Sequence, residues 1–261
     1  MSQSTVKVGQ VDLTSSIISS DFQPDRLVKT PRGLVFFDSE NRQLGLWISD
    51  SIEIKSSFGS HGSDLFDPVD LMASQLDVFV LDQSAHKIGQ FDAALNFIQD
   101  ILLDNDAIYP SQMAMDSRRN IYIYSPETDE ILHTQGLSGR LNLFLDLSRD
   151  MDGSPCVTDM RMNKRDELSL LMPCQDQVNI HGRSGRLIRR FATSVENPIR
   201  ILPFKQFWLV INQKGMIQVL GSERIQLPMD GQTIMDAIVV NNMVWVLSDK
   251  GIIIYDVVTT P

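Results

Sequence analysis

Six polar side chains occupy matching points along this chain, each directly ahead of an apolar pair or alternation: Arg26, Asp70, Gln112, Asp159, Arg200 and Asp236. Brought together, they would form a ring of three carboxylates, two guanidiniums and one amide. Arg26 would lie between Asp236 and Asp70, and Arg200 between Asp159 and Asp236. Two chemistries suit such a ring. Desolvated opposite charges would tie neighbouring elements together as ion pairs. The same groups left open to solvent would form a polar binding mouth for a polar ligand or a partner's side chain.

Other candidates for chemistry are sparse. The four histidines, His61, His86, His133 and His181, do not recur at one position of any repeating unit, so a zinc held by imidazoles is not expected. Asp70, Asp159 and Asp236 offer hard oxygens to Ca²⁺, but Arg26 and Arg200 at matching points oppose a cation. GRSGR at Gly182 and GLSGR at Gly136 are followed by no helix, which argues against a nucleophile elbow. GSHG at Gly59 runs into a strand pattern, not a helix, and so does not read as a phosphate cradle; Gly59 and Gly62 suit positive φ in a loop. No catalytic residue, metal or cofactor is expected.

Cys156 and Cys174 flank the turn NKRDE centred on Arg165. Antiparallel pairing about that turn sets them opposite each other, within disulfide range. A bridge would suit an oxidising compartment; the alternative is two small buried hydrophobes in a reduced cytosol.

The elements that must position these residues emerge when the apolar runs are aligned on Pro24, Pro68, Pro110, Pro155 and Pro198, at spacings of 44, 42, 45 and 43 residues, with a further unit near Ile234. Each unit holds a short first strand, a polar turn, a strongly apolar second strand, another turn and one or two amphipathic strands. GLVFF, DVFVL, NIYIY, LSLLM, FWLVI and MVWVL are the second strands, apolar enough to be buried on both faces. The period and strand content predict an all-β fold, a six-bladed β-propeller. The blades are placed near 22–57, 66–103, 109–147, 155–192, 197–227 and 234–257, in one domain spanning 1–261. The last unit lacks an outer strand, and VKVGQVDL from Val6 is unassigned, so a strand at 6–18 is expected to complete the last blade and close the ring. The run from Ala93 to Leu103 fits helical and strand periods alike, but it falls where an outer strand is due.

FGSHGSDLFDP followed by DVFVLDQSAHKIGQFD resembles the NHL repeat: a Gly-rich turn, a Pro, a strand ending in Asp, then a basic residue, Ile and a Phe-Asp pair. YPSQMAMDSRRNIYIY is a fair second match, and the other units keep only the hydrophobic skeleton. The resemblance implies a binding scaffold. Related six-bladed propellers include lyases, esterases and lactonases, and the Glu around which the lactonase-like ones build their metal site has no counterpart in the aligned ring.

A formal charge of −10, spread along the chain, argues against nucleic acid or an anionic membrane surface as partner. No apolar run of eighteen residues is present, so no integral membrane segment is expected. The opening MSQSTVKVGQ reads as a mature start behind a Met, which points to a periplasmic or secreted protein, with the cytoplasm as the alternative. The expected function is protein–protein interaction on a non-catalytic scaffold. The alternatives are a propeller hydrolase or lyase with a metal at the channel mouth, and a carbohydrate-binding module. Whether a small-molecule ligand binds is left open by the sequence.

Overall fold

A run such as DVFVLD has no polar face to offer water, so its sheet must be covered on both sides. The protein meets this by stacking small sheets face to face around an axis. The structure, a computed structural model, describes residues 2–13, 21–48, 51–56, 64–105, 108–149 and 156–260. It contains six four-stranded antiparallel sheets arranged as the blades of a propeller. The first blade is β2 (Arg26–Lys29), β3 (Leu34–Asp38), β4 (Gln43–Ile48) and β5 (Ser51–Ser56), and the second β6 (Pro68–Ala73), β7 (Asp77–Asp82), β8 (Lys87–Asp92) and β9 (Phe97–Leu102). The third is β10 (Gln112–Met115), β11 (Ile121–Ser125), β12 (Glu130–Thr134) and β13 (Leu141–Asp146). The fourth is β14 (Asp159–Met162), β15 (Leu168–Met172), β16 (Gln177–His181) and β17 (Leu187–Ala192), and the fifth β18 (Pro198–Phe204), β19 (Phe207–Asn212), β20 (Met216–Val219) and β21 (Arg224–Gln226).

The sixth blade takes three strands from the C-terminal part of the chain, β22 (Ile234–Val240), β23 (Met243–Ser248) and β24 (Gly251–Thr260), and its outer strand from the N-terminal part, β1 (Ser2–Asp12). The closing strand thus begins and ends earlier than the 6–18 expected, with Ser2 opposite Thr260 and Asp12 opposite Gly251; residues 14–20 lie outside the described residues. The length of β24 accounts for the shift, because it offers a partner all the way to Thr260. The run at Ala93–Leu103 resolves into a turn and β9.

Alternation within the second strands builds the core. In β7, Val78 and Val80 pack against Val35 and Phe37 of the first blade, while Phe79 and Leu81 turn the other way onto Met113, Ile121 and Ile123 of the third. The same device gives six apolar clusters, one at each junction between blades. Each fully buried Val, Leu, Ile or Phe side chain contributes about 1.5–3 kcal/mol. In the first two blades the second strand ends in a carboxylate that pins the chain entering its own blade: Asp38 accepts from the Gln23 amide at 2.7 Å, and Asp82 from the Phe66 and Asp67 amides at 2.6 and 3.0 Å.

Candidate functional site

The first strand of every blade borders the central channel with one edge unpaired, so its amides need acceptors that no sheet partner supplies. Three of the six predicted ring residues meet that need. Asp236 accepts from the Leu27 amide of the next blade at 2.8 Å, Asp70 from that of Met113 at 2.9 Å, and Asp159 from that of Ile201 at 2.7 Å. Asp70 and Asp236 also accept from the amides of Leu71 and Ala237, at 2.9 and 2.8 Å. Each carboxylate therefore clamps one blade to its neighbour, and the acids sit on alternate blades.

Arg200 lies between Asp236 and Asp159. Its Nε donates to Asp236 Oδ1 at 2.5 Å, its Nη1 is 3.9 Å from Asp159 Oδ1, and Nη1 also donates to the Ile199 carbonyl. A cation that sequence reasoning missed, Arg161, reaches Asp159 Oδ1 at 3.2 Å. Arg26 turns away from the ring acids and binds Asp25 through Nη1, at 3.0 Å to the carbonyl and 3.4 Å to the carboxylate. Gln112 is half-buried. Asp159 is 0% exposed and Arg200 5%, so the charged core of the ring is closed to solvent.

Burial works against the charge on Arg200, but Asp236, Asp159 and Asp70 outweigh it and hold the guanidinium above its ordinary value. Asp70 shows the opposite balance. Burial raises its carboxyl, Arg161, the Met113 amide and Arg200 pull it down, Asp159 adds to the rise, and burial wins. Among the described residues, Asp70 is the ring acid with no cation in ion-pairing contact.

Beyond this plug the channel widens into a funnel of about 620 Å³, lined by residues of all six blades at the end where first strands turn into second strands. Met72, Met115, Met162, Leu76, Ile238 and Val239 supply apolar wall, Lys29, Arg119, Arg161 and Lys164 supply positive charge, and Asp116 and Asp166 are the acids in the lining. Sequence reading missed this site, although the methionines of PVDLMA, QMAM and DMRM recur just after the ring position.

The remaining candidates have structural roles. His86 takes a turn position at φ 48°, His133 packs between Tyr122 and Phe144 with ring centroids 5.7 Å away, and His181 Nδ1 lies 2.9 Å from the Gly185 carbonyl. His61 and the GSHG turn lie outside the described residues. Among the described residues no group of three or more His, Cys, Asp or Glu is placed to hold a metal. Cys156 and Cys174 form a disulfide with Cα atoms 6.1 Å apart. Both lie just beyond a ladder whose register, Asp159 opposite Leu171, brings them together.

No family model matches the sequence, and no curated protein matches it. Solved structures do match in fold. A streptogramin B lyase superposes with a TM-score of 0.67 at 11% identity, covering 98% of each chain. Virginiamycin B lyase from Staphylococcus aureus, crystallised with quinupristin, gives 0.64 at 14% identity over 90% of this chain and 80% of that one. BBS1N in complex with ARL6DN gives 0.57 at 12% identity over 89% and 76%. At these identities the likeness shows a shared fold alone, carried by two lyases and by one protein held in a complex with another.

Proposed function

We propose that this protein is a non-catalytic propeller scaffold for protein–protein interaction that works outside the cytoplasm. The observation that carries the reading is the funnel: all six blades contribute to a wide recess, and the channel below it is plugged by charges already committed to holding the blades together. Loops presented from every blade at once favour a broad protein contact. The ring, for which the sequence allows either interblade ion pairs or a binding mouth, serves in this proposal as the rigid floor of that recess. The Cys156–Cys174 disulfide supports an oxidising compartment, and BBS1N offers a precedent for a propeller held in a complex with another protein.

The test is affinity capture from the source organism with the native protein and a Leu76→Ser/Met115→Ser variant of equal melting temperature, followed by titration of any captured protein in purified form. Direct binding to the native protein, weakened in the variant, supports the scaffold. A purified protein that binds no partner but turns over a small molecule would overturn it.

A further inference from the structure

The charge of −10 is not evenly distributed over the folded molecule. Turns joining first to second strands stand at the funnel end, and their exposed side chains include Arg32, Arg118, Arg119, Lys164, Arg165 and Lys205. Turns joining second to third strands, with the segments entering each blade, stand at the other end, where Glu40, Glu127, Asp129, Asp176, Glu196 and Asp249 outnumber Arg42, Lys214 and Lys250. The chain is acidic as a whole and basic around its funnel.

Asp77, Asp166 and Glu167 at the funnel end offset Arg119, Arg183 and Arg165, with which they pair, so the charge left for a ligand lies on cations without a carboxylate partner. Asp166 accepts from the Ser117 amide at 2.8 Å, the Ser117 hydroxyl at 2.7 Å and Arg183 at 2.6 Å. Burial works against its charge, yet those three donors outweigh burial and keep the carboxyl below its ordinary value. Asp116 accepts from the amides of Arg118 and Asn120, both at 2.9 Å, and Glu167 pairs with Arg165 at 3.1 Å. Arg119 is paired with Asp77. Among the described residues, Arg118 and Lys164 take part in no ion pair.

We infer that the funnel binds an acidic polypeptide segment that also carries apolar side chains. This rests on the scaffold reading and names the chemistry of the partner. The carboxylates of such a segment meet Lys164 in the lining and Arg118 on the adjoining turn, while its aliphatic side chains enter among Met72, Met115, Met162 and Leu76. Methionine suits this role because its unbranched thioether adapts to side chains of varied shape, and Leu76, 65% exposed, offers apolar surface with no cover among the described residues. A polypeptide is favoured over nucleic acid because the described lining contains no aromatic side chain on which bases could stack. The acidic far end also repels a long polyanion, whereas a short acidic segment is steered to the basic end.

The experiment is fluorescence anisotropy on the full chain with four labelled probes: a peptide alternating glutamate and leucine, its lysine–leucine and glutamate–serine counterparts, and a single-stranded DNA oligonucleotide. The glutamate–leucine peptide should bind saturably and more tightly than the other three. Its affinity should fall as salt is added, drop roughly tenfold in Arg118→Glu/Lys164→Glu, and weaken in Leu76→Ser. These side chains are exposed, so both variants should keep the native melting temperature; a variant that melts early is replaced by Arg118→Gln/Lys164→Gln, for which a smaller loss is expected. Absence of saturable binding, equal binding of the lysine peptide, or indifference to the charge substitutions would overturn the inference. Tighter binding of the oligonucleotide would overturn it in favour of nucleic acid. A captured protein partner that binds Arg118→Glu/Lys164→Glu unchanged would leave the scaffold reading intact and remove only the acidic-segment assignment.

Discussion

Replacing Arg200 by alanine leaves Asp236 without its guanidinium at 2.5 Å and takes the more distant charge, at 3.9 Å, from Asp159. Removing one partner of a buried pair costs about 3–5 kcal/mol, because the other charge stays desolvated. Asp236 keeps the amides of Leu27 and Ala237, and Asp159 keeps the Ile201 amide and Arg161, which places this case at the lower end, about 3 kcal/mol. For a chain of this size each kcal/mol moves the midpoint by about 2 °C, so Arg200→Ala should melt roughly 6 °C early by scanning calorimetry. Asp236→Asn keeps an acceptor oxygen and removes the charge. The double variant Arg200→Ala/Asp236→Asn should therefore lose less than the sum of the single losses, with a coupling of about 1 kcal/mol or more. A shift below about 1 °C for Arg200→Ala, or strict additivity in the double variant, would refute the claim that this pair locks the channel.

Three further outcomes are expected. Removing residues 2–12 strips the outer strand from the sixth blade and should lower the midpoint by roughly 10 °C or more, and an unchanged melting curve would show that the ring closes without β1. The disulfide spans a separation of 18 residues, so Cys156→Ala/Cys174→Ala should lose about 3 kcal/mol in urea unfolding, and alkylation of both thiols in unreduced protein would count against the bridge. Asp70 binds its proton more tightly when folded, which favours folding below the unfolded value near 3.8, an advantage lost as pH rises through the folded one. Asp70→Asn keeps one of the two oxygens that accept from Leu71 and Met113; it should flatten that decline in stability and cost less at neutral pH than Asp236→Asn, and a neutral-pH loss as large as that of Asp236→Asn would contradict the assignment.

Strands buried on both faces were the most legible part of the fold. LVFFD, DVFVLD, IYIYS and LSLLM have no polar face, and their spacing alone implied a ring of similar sheets. Outer strands were harder to read, because in β9 and β17 most side chains meet solvent and the apolar signal thins out. The ring positions were visible as a period, but their role was not. An aspartate that caps an amide of the next blade satisfies a donor distant in sequence, and nothing local records the demand. Arg161 escaped notice because it sits two residues past the aligned position. The basic funnel escaped for another reason: along the chain, basic first turns such as DSRRN alternate with acidic second turns such as PETD, so the two signs average out until the blades stack them at opposite ends.

Alternation in the channel also limits how such a ring could be enlarged or reduced. Asp70, Asp159 and Asp236 belong to the second, fourth and sixth blades, and the amides they reach belong to the third, fifth and first. The unit that repeats around the axis is therefore a pair of blades, a donor of carboxylate followed by a receiver. A ring with an odd number of these blades would have to place two receivers or two carboxylates side by side, leaving either uncapped amides or adjacent buried charges. Growth or loss by duplication and deletion is compatible with this channel two blades at a time, and a one-blade change would require the channel residues to be rewritten along with it.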